Sequence, residues 1–380
     1  MIWLENILWL LTGSYALFTL WLWWTWKRMP VFSSEAGDGR GDEVLISVII
    51  PVRNEAGFLP LLLEDLNRQA LTRSSFEVLL VDDASTDGTA DLVRDFATRS
   101  NINLCLLESD GDRVASPKKR AIGTAIQSAK GKYIVTTDGD CRVGENWLSV
   151  IISCFENTGA KCVSGPVTFT SEAGITDYLQ TVEFSSLVGS GACAIAAGYP
   201  NMCNGANFAY EKAVFYEVGG FDGIDHIASG DDEFLLQKIA KQYPGKIAFL
   251  KSEEAIVQTT PHQTWSGFKS QRRRWASKWK HYTSASPKVL AVFIFLANLS
   301  VLTAGFSYAS GVLSGYSAFT IISLKILPEW LFIGAVLRFL KKEHTLWCIP
   351  VVQVIYPFYV LFFGLAGQRG TYFWKGRELN

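Results

Sequence analysis

The chain has 380 residues, a formal charge of −1 and 49% hydrophobic residues, and it carries thirteen tryptophans. At ~100–200 residues per domain this is room for two or so folded units, and a balanced charge gives no case for nucleic acid as a partner. The seven cysteines show no close paired spacing, which argues against zinc and for reduced thiols filling core space.

No charged residue occurs from Asn6 to Trp26. At ~1.5 Å per residue this is about 31 Å of helix, enough for a bilayer core. A signal peptide, the competing reading, needs a basic start, a shorter apolar run and a small-residue cleavage site. Here the start is acidic (Glu5), and the run ends in Trp23, Trp24 and Trp26 followed by Lys27 and Arg28. Aromatic then basic residues mark a cytoplasmic-side interface. Residues 1–28 therefore read as a retained anchor in a bacterial inner (plasma) membrane, with the middle of the chain in the cytosol. Residues 29–43, rich in Gly, Ser and acid from Phe32 onward, read as a linker.

Val44 to Val52 is a short, continuous apolar run of the kind that forms a strand buried on both faces. The pattern then predicts helices over 57–70, 86–100 and 118–129, and strands over Phe76–Val81, Ile102–Leu107 and Tyr133–Thr137. This alternation predicts an α/β fold with a mostly parallel sheet, in which ligands bind beyond the carboxyl ends of the strands. Three of the four strands end in polar clusters: Arg53-Asn54-Glu55, Asp82-Asp83 and Asp138-Gly139-Asp140. They are expected to converge on one crevice.

Charge is absent again between Lys288 and Lys325 and between His344 and Arg369, with candidate spans near 289–311, 317–337 and 346–366. Lys325, Pro328 and Glu329 fall near the middle of the second. That leaves open a functional ionisable pair in the membrane or a helix broken at the interface. Three spans place Arg369, Lys375 and Arg377 outside, against the positive-inside tendency. The region 289–367 thus reads as two to three spans, with 368–380 as a tail.

Two carboxylates in one turn, Asp138 and Asp140, repel each other unless a cation sits between them. Hard oxygen ligands suit Mg²⁺ or Mn²⁺ shared with substrate phosphates. A solvated turn is the alternative. In Asp82 to Thr89, an N-cap by Ser85, Thr86 or Asp87 accounts for Thr86 and Asp87, but not for Asp82 and Asp83.

The runs Ser47 to Glu55 and Val81 to Thr89 resemble the family 2 glycosyltransferases, whose nucleotide-sugar-binding α/β domain is called GT-A, and the resemblance extends over 44 to about 285. It implies a donor site that includes Pro51, in which Asp83 contacts the base and Glu55 lies against the nucleoside. Asp138 and Asp140 then hold the metal and diphosphate, and one of Lys118, Lys119 and Arg120 reaches the donor phosphates while the others are solvated. The family often has Asn where Gly123 stands. Asn204-Gly205-Ala206-Asn207 followed by Val218 to Asp222 looks like the acceptor-side loop, with Asn204, Gly205 and Asn207 facing the acceptor. Gly230 to Leu235 puts Asp232 at the general base position, with Asp231 replacing a common Glu. A helix N-terminus favours acids there in any case.

Gln271-Arg272-Arg273-Arg274-Trp275 is similar to the Gln-x-x-Arg-Trp signature of membrane-bound members. Forked guanidinium bonds suit a diphosphate. The same stretch, with Lys269, Lys278, Lys280, Trp265 and Trp279, also describes an interfacial amphipathic helix over 261–288. The two readings combine if Gln271, Arg274 and Trp275 face the donor and the other cations face lipid headgroups. His262 is either a third metal ligand or an unspecialised residue near an interface.

The implied activity is metal-dependent, inverting transfer of a sugar, a hexose first, from a nucleotide-diphosphate donor to a hydroxyl of a lipid or lipid-linked glycan. A UDP-sugar is favoured, with a GDP-sugar open. The catalytic domain then covers 44–260, with a donor half over 44–140 and an acceptor half over 141–260. A processive polysaccharide synthase is the alternative, and it needs a membrane channel for which about four spans are few. A nucleotide-sugar-binding scaffold predicts loss of an acid, and a nucleotidyltransferase has no use for the Gln-x-x-Arg-Trp segment.

Overall fold

A run of aliphatic residues offers no polar face to water, so it is stable as a strand only when covered on both sides. Two such runs form β1 (Ile46–Val52) and β2 (Phe76–Asp82), buried almost throughout. The structure is a computed structural model that describes residues 2–34, 44–109, 115–170, 173–281, 285–366, 372–374 and 377–379. The chain divides into two compact units. One comprises Met29–Ser171, Ala194–Pro261 and Phe373–Asn380, and the other comprises Met1–Arg28, Glu172–Cys193 and His262–Tyr372.

In the first unit β1 and β2 are followed by β3 (Asn103–Glu108), β4 (Tyr133–Thr136), β5 (Cys162–Ser164), β6 (Val167–Phe169), β7 (Phe208–Glu211), β8 (Ile247–Phe249) and β9 (Val257–Thr259). Seven strands form one sheet in the order β3-β2-β1-β4-β7-β5-β8. β7 runs antiparallel to both β4 and β5, and the other pairs are parallel. β6 and β9 pair separately, in parallel. The helices are α2 (Leu59–Asn67), α3 (Thr89–Arg99), α4 (Pro117–Ser128), α5 (Trp147–Thr158), α7 (Lys212–Glu217) and α8 (Glu233–Gln242). Ile122, Ala125 and Ile126 of α4 and Leu235, Leu236 and Ile239 of α8 pack with Ile49, Ile134, Phe208 and Tyr210 of the sheet in one core. β3 alternates between exposed and half-buried because it is the sheet's edge. The four predicted strands are present, in register Val48↔Val78 and Val48↔Val135, and their carboxyl ends lie side by side.

The start of α3 differs from expectation. Its N-cap is Gly88, in the left-handed region at φ 86°, rather than Ser85, Thr86 or Asp87. Asp87 is occupied in tying two loops together. Its Oδ1 accepts from Thr89 N–H at 3.1 Å and its Oδ2 from Ala56 N–H at 3.0 Å, so the segment after β1 is pinned to the head of α3.

The second unit contains α1 (Ile2–Arg28), α6 (Ile175–Ala196) as far as Cys193, α9 (Trp265–Ser277), α10 (Ala285–Ala309), α11 (Gly315–Phe339) and α12 (Ile349–Ala366). Among the described residues four helical segments, 2–28, 287–309, 315–339 and 343–363, are long and apolar enough to cross a membrane. α11 is continuous through Lys325, Pro328 and Glu329. Lys325 Nζ donates to both Glu329 oxygens at 3.0 Å, Tyr15 Oη donates to Glu329 Oε1 at 2.6 Å, and Gln353 Nε2 donates to Glu329 Oε2 at 3.2 Å. The charges are met inside the bundle, which removes the reason for a break.

α6 was not foreseen. Residues 173–193, expected in the acceptor half of the catalytic domain, fold with the long helices instead. A Cβ on Gly189 would stand 2.6 Å from Val336 Cγ2, so glycine here lets the backbone of α6 approach α11, as small residues do between membrane helices.

Candidate active site

The ends of β1 and β2 are tied together under strain. Asn54 and Ala84, the turning residues, sit at φ 54° and 53°, a left-handed conformation unusual for residues other than glycine. It persists where the surroundings over-determine it, which is a habit of functional sites. Asn54 N–H donates to Ser85 Oγ at 2.9 Å, Asn54 Oδ1 accepts from Thr86 N–H at 2.8 Å, and Asp83 N–H donates to Val52 O at 2.9 Å. The Arg53 guanidinium closes the knot by donating to the carbonyls of Asp83 and Ala84. Asp83 is buried, with Arg53 Nη1 at 3.8 Å and Arg120 Nη2 at 3.5 Å. Glu55 is also buried, and its N–H donates to Thr89 Oγ1 at 3.0 Å. Pro51 lies on β1, opposite Val81.

Asp138-Gly139-Asp140 leaves the end of β4 and packs onto the end of β1. A Cβ on Gly139 would stand 2.9 Å from Val52 Cγ1 and 3.2 Å from Glu55 Cγ, so only glycine brings the two aspartates this close to Glu55 without a shift. The chain beyond is clamped. Arg142 holds Asp65 of α2 through Nε at 2.5 Å and Nη2 at 2.8 Å, and its backbone bridges Gln258. Asp140 Oδ2 accepts from Thr259 Oγ1 at 3.2 Å. Burial, with Asp140 and Asp138 alongside, pushes the Cys141 thiol well up.

The first turn of α4 sends three consecutive basic residues to three places, since neighbours on a helix point roughly 100° apart. Lys118 Nζ lies 2.7 Å from Asp138 Oδ1 and 3.4 Å from Asp231 Oδ2. Burial opposes its charge, but Asp138, Asp231 and Asp232 outweigh burial and raise its pKa. Lys119, expected in solvent, is 2% exposed and donates to the carbonyls of Ile224, Ile227 and Ser229, anchoring the loop that leads to Asp231. Arg120, also expected in solvent, turns to Asp83 and donates to Ser109 Oγ at 2.8 Å.

The acid pair stands at the N-terminus of α8. Asp232 is the N-cap. Its Oδ1 accepts from Glu233 N–H at 2.7 Å and its Oδ2 from Gly205 N–H at 2.7 Å. A Cβ on Gly205 would come within 3.4 Å of both Asp231 and Asp232, so the Asn204-Gly205 loop lies directly on the acids. Asn204 Oδ1 accepts from Ala206 N–H. Asn207 is buried and fully engaged. It donates to Pro166 O at 2.9 Å and Ala255 O at 2.8 Å and accepts from Trp147 Nε1 at 3.1 Å, which makes it an anchor of the loop.

The two carboxylates fit a divalent ion of the Mg²⁺ or Mn²⁺ type. They are hard oxygen donors on a clamped turn, and Asp138 is already drawn to a cation, Lys118. Among the described residues no group of three His, Cys, Asp or Glu is poised to hold a metal alone. An ion here would be completed by substrate phosphates, which is how Mg²⁺ is commonly held.

Residues 47–219 match the model of glycosyl transferase family 2. That match supports a family 2 glycosyltransferase. Glycosyltransferase AglE of Haloferax volcanii is 31% identical over 187 residues, which are 49% of this chain and 58% of that protein. The poly-beta-1,6-N-acetyl-D-glucosamine synthase of Staphylococcus epidermidis is 24% identical over 205 residues, 53% of this chain and 46% of that one. The chain thus spans about half the length of these relatives. Among solved structures, mannosyltransferase PcManGT from Pyrobaculum calidifontis, in complex with GDP-Man and Mn²⁺, superposes with a TM-score of 0.58 at 20% identity, over 92% of this chain and 99% of that one. At that identity the likeness concerns the fold, which is of the GT-A type.

Gln271, Arg274 and Trp275 lie on α9, in the helical unit. Arg272, expected to face headgroups, is instead 3% exposed and ion-paired with Glu183 of α6. Its guanidinium lies 4.6 Å over Phe268 and 4.4 Å over Trp275, and it donates to Gln271 Oε1. Trp275 also stacks on Phe184, with centroids 6.1 Å apart. Burial, then the charges of Arg272 and Arg274, lower the pKa of His262. Glu183 escaped the sequence reading, since an acid in the middle of an apolar stretch carried no motif. An excess of basic residues in 269–280 was its only hint.

Proposed function

We propose that the protein is a membrane-bound inverting glycosyltransferase that moves a sugar from a nucleoside-diphosphate donor to a hydroxyl of a lipid or lipid-linked acceptor. One observation carries this reading: Lys118 bridges Asp138, on the donor side, and Asp231, beside the N-capping Asp232. A diphosphate site and a base site meet at one ammonium. Asp83 and Glu55, with Pro51, form the nucleoside end, and Arg53 and Arg120 fix Asp83. Asp138 and Asp140 would hold the divalent ion. When bound it neutralises charge on the departing diphosphate.

Asp232 is the general base. Two backbone N–H groups orient its carboxylate, and each oxygen keeps a lone pair for an acceptor proton. The acceptor oxygen bonds to the anomeric carbon as the bond from that carbon to the diphosphate oxygen breaks. The proton passes to Asp232, the electron pair leaves with the nucleoside diphosphate, and the configuration inverts. Lys118 offers positive charge to the leaving group, so the protein's work is positioning and electrostatics. A UDP-sugar is favoured. A GDP-sugar is the other donor to try, since the PcManGT neighbour holds GDP-Man. The four apolar helices support attachment to a membrane, for which we propose the cytosolic face of a bacterial inner membrane.

The name of the Staphylococcus epidermidis relative favours a second reading, processive synthesis of a polysaccharide. Product length separates the two. Protein purified in detergent is incubated with radiolabelled nucleotide sugars, Mn²⁺ or Mg²⁺ and extracted membrane lipids. Single-sugar label in the lipid phase, lost on chelation, is expected. Long aqueous polymer would favour the synthase, and binding without turnover of any donor would contradict both.

A further inference from the structure

Within the helical unit an apolar cavity of about 240 Å³ lies among α6, α9 and α12, walled by Leu179, Phe268, Val352, Ile355, Tyr356 and Tyr359. Its floor reaches Glu183, but that charge is already met by Arg272 and by Tyr359 Oη at 3.0 Å. Gln180 and the His262 backbone satisfy each other, with Nε2 to the carbonyl at 3.0 Å and the His262 N–H to Oε1 at 3.2 Å. The wall therefore offers carbon and few open hydrogen bonds, which disfavours a sugar as occupant and favours hydrocarbon.

Two rim residues show where that hydrocarbon comes from. Ile355 is 47% exposed on the face of α12 that also presents Val351, Val354, Phe358 and Phe362. This helix belongs to a candidate span, so one side of the cavity lies at the exposed apolar surface of that span. The other rim, at Trp265, is 69% exposed and stands at the start of the basic helix α9, whose Lys269 ammonium lies 5.8 Å from the centre of the Phe362 ring on α12. Apolar body and cationic end match an amphiphile with a negative head.

We propose that this cavity holds one hydrocarbon chain of a phosphate-bearing lipid, and that this lipid is the acceptor. The identification as acceptor rests on the function proposed above. The cavity is too small for a whole lipid, so the remainder of the chain lies along α12 in the bilayer. Leu179 and Val352 set the depth of the pocket and Ile355 its mouth.

The test uses the full-length protein in detergent, with single-chain oleoyl lysophosphatidate as probe and lysophosphatidylcholine, of the same chain but zwitterionic, as control. Binding is read by native mass spectrometry, and sugar transfer to extracted membrane lipids by lipid-soluble label. Lysophosphatidate is expected to bind wild type at least tenfold more tightly than the control and to raise the apparent KM for the extracted lipids. Ile355→Trp, which plugs the mouth, and Leu179→Trp, which fills the body, are each expected to weaken probe binding tenfold or more and raise that KM. Phe358→Trp, on the same helix but outside the cavity, should bind as wild type. Melting temperature and elution profile identify any misfolded variant, and the rim variant stands if the interior one fails. Unchanged probe binding in both plugged variants would overturn the cavity assignment. Probe binding that leaves transfer untouched would mark a structural lipid and overturn the acceptor. Absence of transfer by wild type to any extracted lipid, with probe binding intact, would bring down the function reading and leave the cavity as a lipid site.

Discussion

In the helical unit buried charges are met by partners. Lys325 has both oxygens of Glu329, Glu329 has Tyr15 and Gln353 besides, and Arg272 has Glu183 between two aromatic faces. In the sheet unit the acids Glu55, Asp83, Asp138 and Asp140 beyond the strand ends, with Asp231 and Asp232 at the head of α8, outnumber Arg53, Lys118 and Arg120, which pair with Asp83, Asp138 and Asp231. The first arrangement is closed, and its charges serve the fold. The second is left negative on a clamped scaffold, and it suits a cation that arrives with its substrate. Removing a charge is therefore expected to cost stability in one unit and activity in the other.

Substitution at the metal turn should show the largest effect. Asp140→Ala is expected to lower transfer by at least about 10²–10³-fold, the scale of losing a preorganised charge-stabilising group, with the melting temperature unchanged or raised. A fall in melting temperature matching the fall in activity would break the contrast.

Arg272→Met is the mirror case. It strands Glu183 in an apolar setting, and losing one partner of a buried pair costs about 3–5 kcal/mol. Combining it with Glu183→Gln should recover much of that loss, as read by thermal melts in detergent. If the single variant melts like wild type, the pair is not holding α6 to α9.

Gly139→Ala tests the close approach of the turn to β1. The new Cβ meets Val52 and Glu55 inside van der Waals contact. A core overpacked this way commonly loses about 1–3 kcal/mol, and here a tenfold or smaller loss of transfer should accompany it. Pairing it with Val52→Ala should restore part of both.

The smallest effect concerns pH. His262 has a lowered pKa in the folded chain, through burial first and Arg272 and Arg274 next. Below its ordinary value of about 6.5 the unfolded chain binds the proton more readily, so stability falls as pH drops through that region and is flat above it. Melts at pH 7.5 and 5.5 should show a smaller acid-induced drop for His262→Gln than for wild type.

How much of this was legible in the sequence depended on how far apart the partners lie. β1, β2 and β4 were visible as apolar runs because strands of a covered parallel sheet need no polar face. The turn after β4 was visible as a paired acid after such a run. β5, β6, β8 and β9 have three residues each, too few to show a period. α6 is largely apolar, which left no clear stripe to read. Lys119 and Arg272 were placed in solvent or headgroups because their partners lie 105 to 110 and 89 residues away, beyond the reach of local pattern. The Asp87 cap failed for a related reason, since one of its oxygens serves Ala56 across the loop.

Asp232 carries two tasks, capping α8 and, in this account, accepting the acceptor's proton. Asparagine caps a helix about as well as aspartate but cannot act as the base. The most direct test is therefore the transfer rate of Asp232→Asn beside its melting temperature and donor affinity. A loss of about 10²–10⁴-fold in transfer is expected, with donor binding held at the wild-type value and stability lowered by only about 1–3 kcal/mol, since the amide oxygen serves one of the Gly205 and Glu233 N–H groups and the other loses its acceptor. Retained transfer, or a loss that tracks melting temperature, would contradict it and leave Asp232 as a helix cap.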